Sequence, residues 1–324
     1  MRTAEVTPTQ LRAFAAVVRL GSVKKAAAEI GVSEAAVSLH IGQLRKELGD
    51  RLFVRTGSGI AFTPGGLRLA SRAAEMLGLQ DRTILEVSQA GGGRRLLRVA
   101  ASSLFAEHAA PGLIDLFASR ADDLDVELSV HSPQQFHALL RTRAVDVAIG
   151  PRPREVDEAI ACKPFLNYEL LVLAGPDDPV TRLTRVSAGE LREKTWLLGP
   201  SAASNVGLIP AILHRISVPD ENQRIFQSHA AALEEVKRSK GITLAVAFAV
   251  SQDLAHGYLK PVSGPSLPTK GVWSVLTLAG RDAPPAAAEL ARFVTTPRAT
   301  QAMVRGSGVT AGRFRPSIHV TLWS

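Results

Sequence analysis

The chain has 324 residues, 46% of them hydrophobic and 21% charged, a balance that supports two or three ordinary globular domains. Its single cysteine, Cys162, excludes an intrachain disulfide and a cysteine-based zinc cluster, and fits a reducing compartment. The formal net charge of +8 favours a polyanionic partner, and no apolar run reaches the ~18 residues of a membrane span.

Residues 8–19 read as the first helix, with Pro8 in its first turn and Leu11, Phe14, Ala15 and Val18 on the packed side. Ser22 is placed to cap a second helix whose Ala26, Ala27 and Ile30 form a small apolar face, ended by Gly31. Ser33 caps a third helix, over about 33–48, with Val37, Ile41, Leu44 and Leu48 spaced as one buried stripe. Two short helices around a glycine-containing turn are a helix-turn-helix, whose second helix enters the DNA major groove. Residues 51–63 follow as a wing hairpin, Leu52–Val54 and Gly59–Phe62, turning at Gly57-Ser58-Gly59. Within 1–63, Arg2, Arg12, Arg19, Lys24, Lys25, Arg45, Lys46, Arg51 and Arg55 face only Glu5, Glu29, Glu34, Glu47 and Asp50, so half of the net charge sits in this first fifth.

The pieces Leu11-Arg-Ala-Phe14, Gly21-Ser22, Ala26-Ala27, Val32-Ser33, Val37-Ser38, Glu47-Leu48-Gly49, Leu52-Phe53-Val-Arg-Thr56 and Phe62-Thr-Pro64 with Gly66 match in order and spacing. In them the chain resembles the N-terminal domain of LysR-type transcriptional regulators. The resemblance is tight over the first 65 residues and looser to about residue 300. It implies a winged helix-turn-helix, all-α with a small β wing, followed by a two-lobed α/β effector domain of the type 2 periplasmic-binding kind. Candidate DNA-contacting residues are Lys24 and Lys25 at a helix start, Ser33, Glu34, Ala36, Val37, Ser38 and His40 on the recognition helix, and Arg55 at the edge of the wing. Lys24 and Lys25 are also compatible with a merely solvated helix start. The family often carries Gln-Pro after the first serine and Arg-Gln after the second. Here Glu34-Ala35 and Leu39-His40 stand instead, which leaves the apolar frame intact and makes the half-site hard to infer. A glutamate suits a cytosine amine and repels a phosphate.

Thr63-Pro64 starts a long helix to about Gln89. Ala70, Leu77 and Ile84, with Ala73, Gln80 and Val87 between them, make a weak heptad seam. Packing on the chain's own domains is the other reading; the resemblance implies a linker helix that pairs protomers. Ala90-Gly-Gly-Gly93 reads as a hinge.

From Arg95 strands and helices alternate: strand 96–101, helix 105–119, strand 126–131, helix 134–142 and strand 145–150, an order that predicts parallel strands with helices on both faces. The stretch Leu140–Gly150 is similar to a family segment in which a glycine usually stands where this chain has Arg143. Strand Tyr168–Ala174 is expected to cross into a second lobe with strand 195–198, helix 205–216, strand 225–227, helix 230–239 and strand 242–246. The chain returns through strand 272–278 and a helix at 284–295, and residues 297–324 exceed the usual family length. The expected domains are 1–63 for DNA binding, 64–90 as the linker helix and 91–300 for effector binding. Lobe one covers about 94–168 and 271–300, lobe two about 169–270, and 301–324 is a C-terminal extension.

Ligands of open α/β sheets bind outside the carboxyl ends of strands. Three loops qualify: Ser102-Ser103, then Ser132 with Gln134 and Gln135, then Gly199–Ser204 with Ser201 and Ser204. The resemblance implies an effector between the lobes at these loops. Hydroxyls at helix starts suit a carboxylate or other small anion, and each serine is equally suited to cap its helix. Lys240 near lobe two could add positive charge.

No Gly-x-Ser-x-Gly elbow, P-loop or His-Glu-x-x-His motif occurs, and the eight histidines are scattered, so no catalytic residue, metal ligand or cofactor is assigned. An α/β enzyme, or a solute-binding protein with an accessory helix-turn-helix, is the competing reading. The favoured one is a cytoplasmic regulator, dimeric or tetrameric, whose partners are dyad double-stranded DNA, a small effector and, as a further candidate, RNA polymerase.

Overall fold

In a computed structural model of the chain, which describes residues 5–56, 59–153, 157–238, 241–264 and 270–305, Thr7 opens the first helix with a capping box shared with Gln10. That helix, α1 (Pro8–Leu20), ends at Gly21 with φ +63. Ser22 caps α2 (Val23–Ile30), and Gly31, at φ +70, turns the chain into α3 (Glu34–Leu48), capped by Ser33. Left-handed backbone at both turns is why glycine stands there. Phe14, Val17, Ala26, Ala27, Val37, Ile41 and Leu44 form the shared core. Leu48, expected in that stripe, is 39% exposed, because it occupies the last turn, beyond the reach of α1 and α2.

The wing is an antiparallel pair, β1 (Phe53–Thr56) with β2 (Gly59–Phe62), in register Phe53 to Phe62. Phe53 stacks on Phe14 and meets Phe62 edge-on, which ties the hairpin to the helical core. Leu52 precedes it at φ +62, a conformation unusual for a side chain of that size. Asp50 holds the corner: its carboxylate accepts from the Leu52 N–H at 2.6 Å and the Thr63 hydroxyl at 2.7 Å, and these bonds lower its pKa.

The long helix α4 runs from Pro64 to Gly92. The expected hinge at 90–93 is corrected: the helix continues through Gly91 and Gly92, and Gly93 ends it at φ +70. Ala73 is fully buried and Ala70 packs on the core of the first three helices, so the first half of the expected seam is used inside the unit. Arg12 on α1 reaches Gln80 and Asp81 of α4, each at 3.4 Å. Farther along, Met76, Leu79, Ile84 and Val87 are exposed, Val87 by 69%.

The chain divides into two compact units, the first ending at Gly92 and taking in Arg141–Ala144, the second starting at Gly93. The second unit begins with β3 (Arg95–Ala101), then α5 (Ser103–His108), α6 (Ala110–Ala118), β4 (Leu124–Val130), α7 (Phe136–Arg141) and β5 (Val147–Pro151). The single helix expected over 105–119 is broken at Ala109, whose φ of −125 is not helical, just before Pro111. Arg143 sits at φ +53, which accounts for the glycine usual at that place in the resembling segment.

Next comes β6 (Ile160–Ala174), fifteen residues long where only Tyr168–Ala174 was expected. It is followed by α8 (Ala188–Glu193), β7 (Trp196–Leu198), α9 (Leu208–Ile216), β8 (Gln223–Ile225), α10 (His229–Arg238), β9 (Ile242–Val246), α11 (Ser251–Ala255), β10 (Lys260–Pro261), β11 (Lys270–Leu278), α12 (Pro285–Phe293) and α13 (Pro297–Arg305). The unexpected α8 carries a legible signal, the Ser187 to Glu190 capping box. The expected helix 205–216 starts at Leu208, and the expected strand 225–227 lies two residues earlier.

The strand order is β4-β3-β5-β11-β6-β9-β7-β8, with β10 on β6. β6 makes the passage between lobes: Ile160–Glu169 pairs with β11, and Leu170–Ala174 pairs with β9. The sheet is mixed rather than all parallel, because β11 runs antiparallel to both β5 and β6. Asp146 anchors lobe one, accepting from the Arg98 N–H at 2.9 Å while 4% exposed. α13 spans the expected end of the effector domain and the first residues beyond it, and it buries Ala299, Ala302 and Met303 on an apolar face. Residues 306–324, the rest of the expected C-terminal extension, lie outside the described residues, as does Lys240.

Candidate nucleic-acid interface and effector site

In the first unit, the three glycine- and serine-punctuated helices leave the N-terminal half of α3 uncovered. Ser33, Glu34 and Ser38 are exposed, and Ala36 and His40 are half-buried. The Ser33 Oγ accepts from the Ala36 N–H at 3.1 Å, so the same serine that starts α3 stands on its open end. Val37 is a correction: it is 0% exposed, because its side chain fills the seam between α3 and the two preceding helices. Lys24 and Lys25 are both exposed in the first turn of α2. The side chain of Arg55 lies outside the described residues.

Two residues not singled out by sequence reasoning join this surface. An open depression between α3 and the wing is lined by Ser38, Arg45, Arg51, Phe53 and Val54 among others. Arg45 donates to the Phe53 carbonyl at 2.9 Å and lies 4.6 Å from the centre of the Phe53 ring, so it clamps the wing to α3. Arg51 is exposed beside it. In the sequence Arg45 counts only as one of the basic residues of 1–63; its partner in the wing is a tertiary fact.

In the second unit, two of the three expected loops meet. The Ser103 and Ser201 hydroxyls are 2.9 Å apart, one on α5 of lobe one and one in the loop after β7 of lobe two. Ser201 Oγ is in turn 3.0 Å from His229 Nε2. His229 is packed so closely on Gly199 that a Cβ there would lie 2.3 Å from the ring. Burial, with His108 as a neighbour, takes the His229 pKa down to about 3, so the imidazole is neutral. Burial lowers His108 as well. Glu107 spans the lobes too: its carboxylate oxygens accept from the backbone N–H groups of His229 and Ala230 at 3.0 and 3.1 Å, at the start of α10. Burial pushes the Glu107 pKa up, and those two N–H bonds oppose it.

Ser102 is 5% exposed, and its Oγ has no hydrogen-bond partner among the described residues; neither have His108 Nε2 and Trp273 Nε1. Trp273 packs edge-on against Phe105 of α5 and against Phe248 and stacks on Tyr168, forming an aromatic cluster in the core of the unit. The remaining expected residues serve other ends. Ser132 and Gln135 form a reciprocal cap, Gln134 is exposed, and the Ser204 Oγ is engaged by Val206 of its own turn. That loop after β4 still adjoins the site's edge, since the His131 N–H donates to the Ala101 carbonyl at 2.9 Å. Among the described residues no group of three or more metal-ligating side chains forms, and no helix is long and apolar enough to cross a membrane.

Comparison with known proteins follows the same division. A family model described as "Bacterial regulatory helix-turn-helix protein, lysR family" matches residues 8–67, and one described as "LysR substrate binding domain" matches residues 90–297. An uncharacterised HTH-type transcriptional regulator of Mycobacterium tuberculosis is 58% identical over 322 residues, 98% of this chain and 100% of that one. The RuBisCO operon transcriptional regulator of Allochromatium vinosum is 26% identical over 292 residues, 89% of this chain and 95% of its own. Among solved structures, ArgP from Mycobacterium tuberculosis superposes with a TM-score of 0.61 at 18% identity, covering 89% of this chain and 97% of that one. Full-length CbnR in complex with its target DNA gives 0.56 at 17% identity, over 89% and 99%.

Proposed function

The chain belongs to the LysR family of transcriptional regulators, which are not enzymes, and from that premise we propose that it reads a dyad operator through paired copies of α3 and is gated by a small effector held between its lobes. The observation that carries the DNA reading is the uncovered N-terminal half of α3 beside two exposed lysines. In this reading Lys24, Lys25 and Arg55 hold phosphates, while Ser33, Glu34, Ala36, Ser38 and His40 face base edges. Residues 1–63 act as the DNA-binding domain and 64–90 as a pairing helix through the exposed Met76, Leu79, Ile84 and Val87. Residues 91–300 sense the effector, RNA polymerase is the protein partner, and the compartment is the cytoplasm.

The effector reading is supported by the buried, unpaired Ser102 Oγ next in the chain to Ser103, whose hydroxyl bridges to Ser201 of the other lobe. Hydroxyls there suit a small polar ligand. An anion seeking the start of α10 has to displace Glu107, which already holds those N–H groups. A ligand gates the protein only by binding its two states with different affinity.

The test is a genome-wide pull-down of DNA with the purified chain, followed by salt titration of each enriched site. The expected result is a dyad-containing site whose affinity falls steeply with salt, the slope dropping by about one for each phosphate-contacting lysine replaced. Weak, sequence-blind binding would sink the proposal.

A further inference from the structure

The face of α3 turned away from the core is apolar from Ala35 to Gly42. With 3.6 residues per turn, Ala35, Leu39, Gly42 and Lys46 fall opposite the buried Val37, Ile41 and Leu44. Leu39 is 60% exposed, level with Leu67 as the most exposed large hydrophobic side chain of the first four helices outside the far end of α4. One turn before it stands the exposed Ala35, and about one turn after it the exposed Gly42, where even an added Cβ would meet nothing within 4 Å. No long side chain on that stripe holds Leu39 off an opposing surface until Lys46, whose exposed ammonium suits a phosphate. The hydrogen-bonding residues Glu34, Ser38 and His40 lie to either side of the stripe.

A lone exposed leucine on a protein surface needs no explanation. One at the centre of a recognition helix does. Seating it against a groove floor that offers only polar edges would desolvate those edges without replacing their hydrogen bonds. The major groove has one apolar feature, the C5 methyl group of thymine. We propose that Leu39 is a specificity-determining residue that reads a thymine methyl in each half-site. The proposal rests on the reading of α3 as the recognition helix, and it commits each half-site to a thymine at the position Leu39 covers.

The experiment takes the full chain, selects bound duplexes from a random library, and replaces each thymine of the enriched site singly with deoxyuridine, which removes only the methyl. The expected result is one position per half-site where the wild type loses affinity about fourfold, the value of one buried methyl-sized group. Leu39→Ala should lose a similar factor on the parent site and show no further loss at that position, while its melting curve stays unchanged because the side chain is exposed. An enriched site with no methyl-sensitive position, or one where wild type and Leu39→Ala lose equally, overturns the assignment of Leu39 and leaves the regulator reading standing. A library that yields no enriched sequence overturns the regulator reading, and this assignment with it.

Discussion

Glu107 of lobe one caps the helix that begins at His229 of lobe two, its two carboxylate oxygens taking the His229 and Ala230 N–H groups at 3.0 and 3.1 Å. The contact joins residues 122 positions apart in the chain and runs alongside the Ser103–Ser201–His229 bridge. The lobes are therefore closed on each other by the chain's own polar groups. Glu107→Ala leaves two helix-start N–H groups without their acceptor and should lower stability by ~1–3 kcal/mol in urea denaturation. Glu107→Gln keeps one acceptor oxygen and should lose less. Equal stability of wild type and the alanine variant would show that solvent serves the α10 start as well as Glu107 does.

Acid should weaken the second unit in a defined window. The folded-state pKa of His229 lies near 3 and that of His108 is also lowered, both by burial. Below pH ~6.5 the unfolded chain takes up protons that the folded state refuses, so stability present above that value is lost as the pH falls, for His229 down toward 3 and by up to ~1.4 kcal/mol per pH unit. Glu107, with its raised pKa, acts in the opposite direction, gaining stability as the pH falls toward the ordinary glutamate value. Melting temperatures at pH 7.5 and 5.5 should therefore drop for the wild type and drop less for His229→Gln. An identical drop in both would remove His229 from the account.

Gly66 admits no side chain. A Cβ there would sit 1.8 Å from the Leu52 carbonyl oxygen, on backbone that is already held at positive φ and buried. Gly66→Ala has to push the wing corner away from α4 and should cost ~1–3 kcal/mol or more, read as a lowered urea midpoint. DNA affinity should fall with it, since the same corner positions the wing against α3. Gly42→Ala is the control: it meets open space, and its stability should be little changed or slightly higher through helix propensity.

The exposed end of α4 predicts the assembly. Ile84 and Val87 are 59% and 69% exposed. Ile84→Asp with Val87→Asp should leave the melting curve of the monomer unit intact and shift sedimentation toward the single chain, with operator affinity falling by an order of magnitude or more as paired half-site binding is lost. Unchanged sedimentation would place the pairing surface elsewhere.

Much of the first unit was legible from residues alone, because its signals are local. Ser22, Ser33 and the positive-φ glycines Gly21, Gly31 and Gly49 mark helix ends through backbone conformation and caps, which need no distant partner. The 3.6-residue stripe from Val37 to Leu44 named the buried side of α3 for the same reason. That stripe puts Val37 on the buried side, apart from the exposed Ser33, Glu34 and Ser38. The alternating strands of the second unit were legible as elements, and its serine loops as strand ends.

What only the tertiary structure decided are the pairings between residues far apart in sequence. Local periodicity carries no information on which strand lies beside which, so the early start of β6 and its passage from β11 to β9 could not be read. Nor could the Arg45 clamp on Phe53, or the bridge from Ser103 to Ser201. Glu107 and His229 gave no motif, since a glutamate on a short helix and a histidine starting another are individually ordinary. They become a site only where folding brings them within hydrogen-bonding distance and removes water from around them.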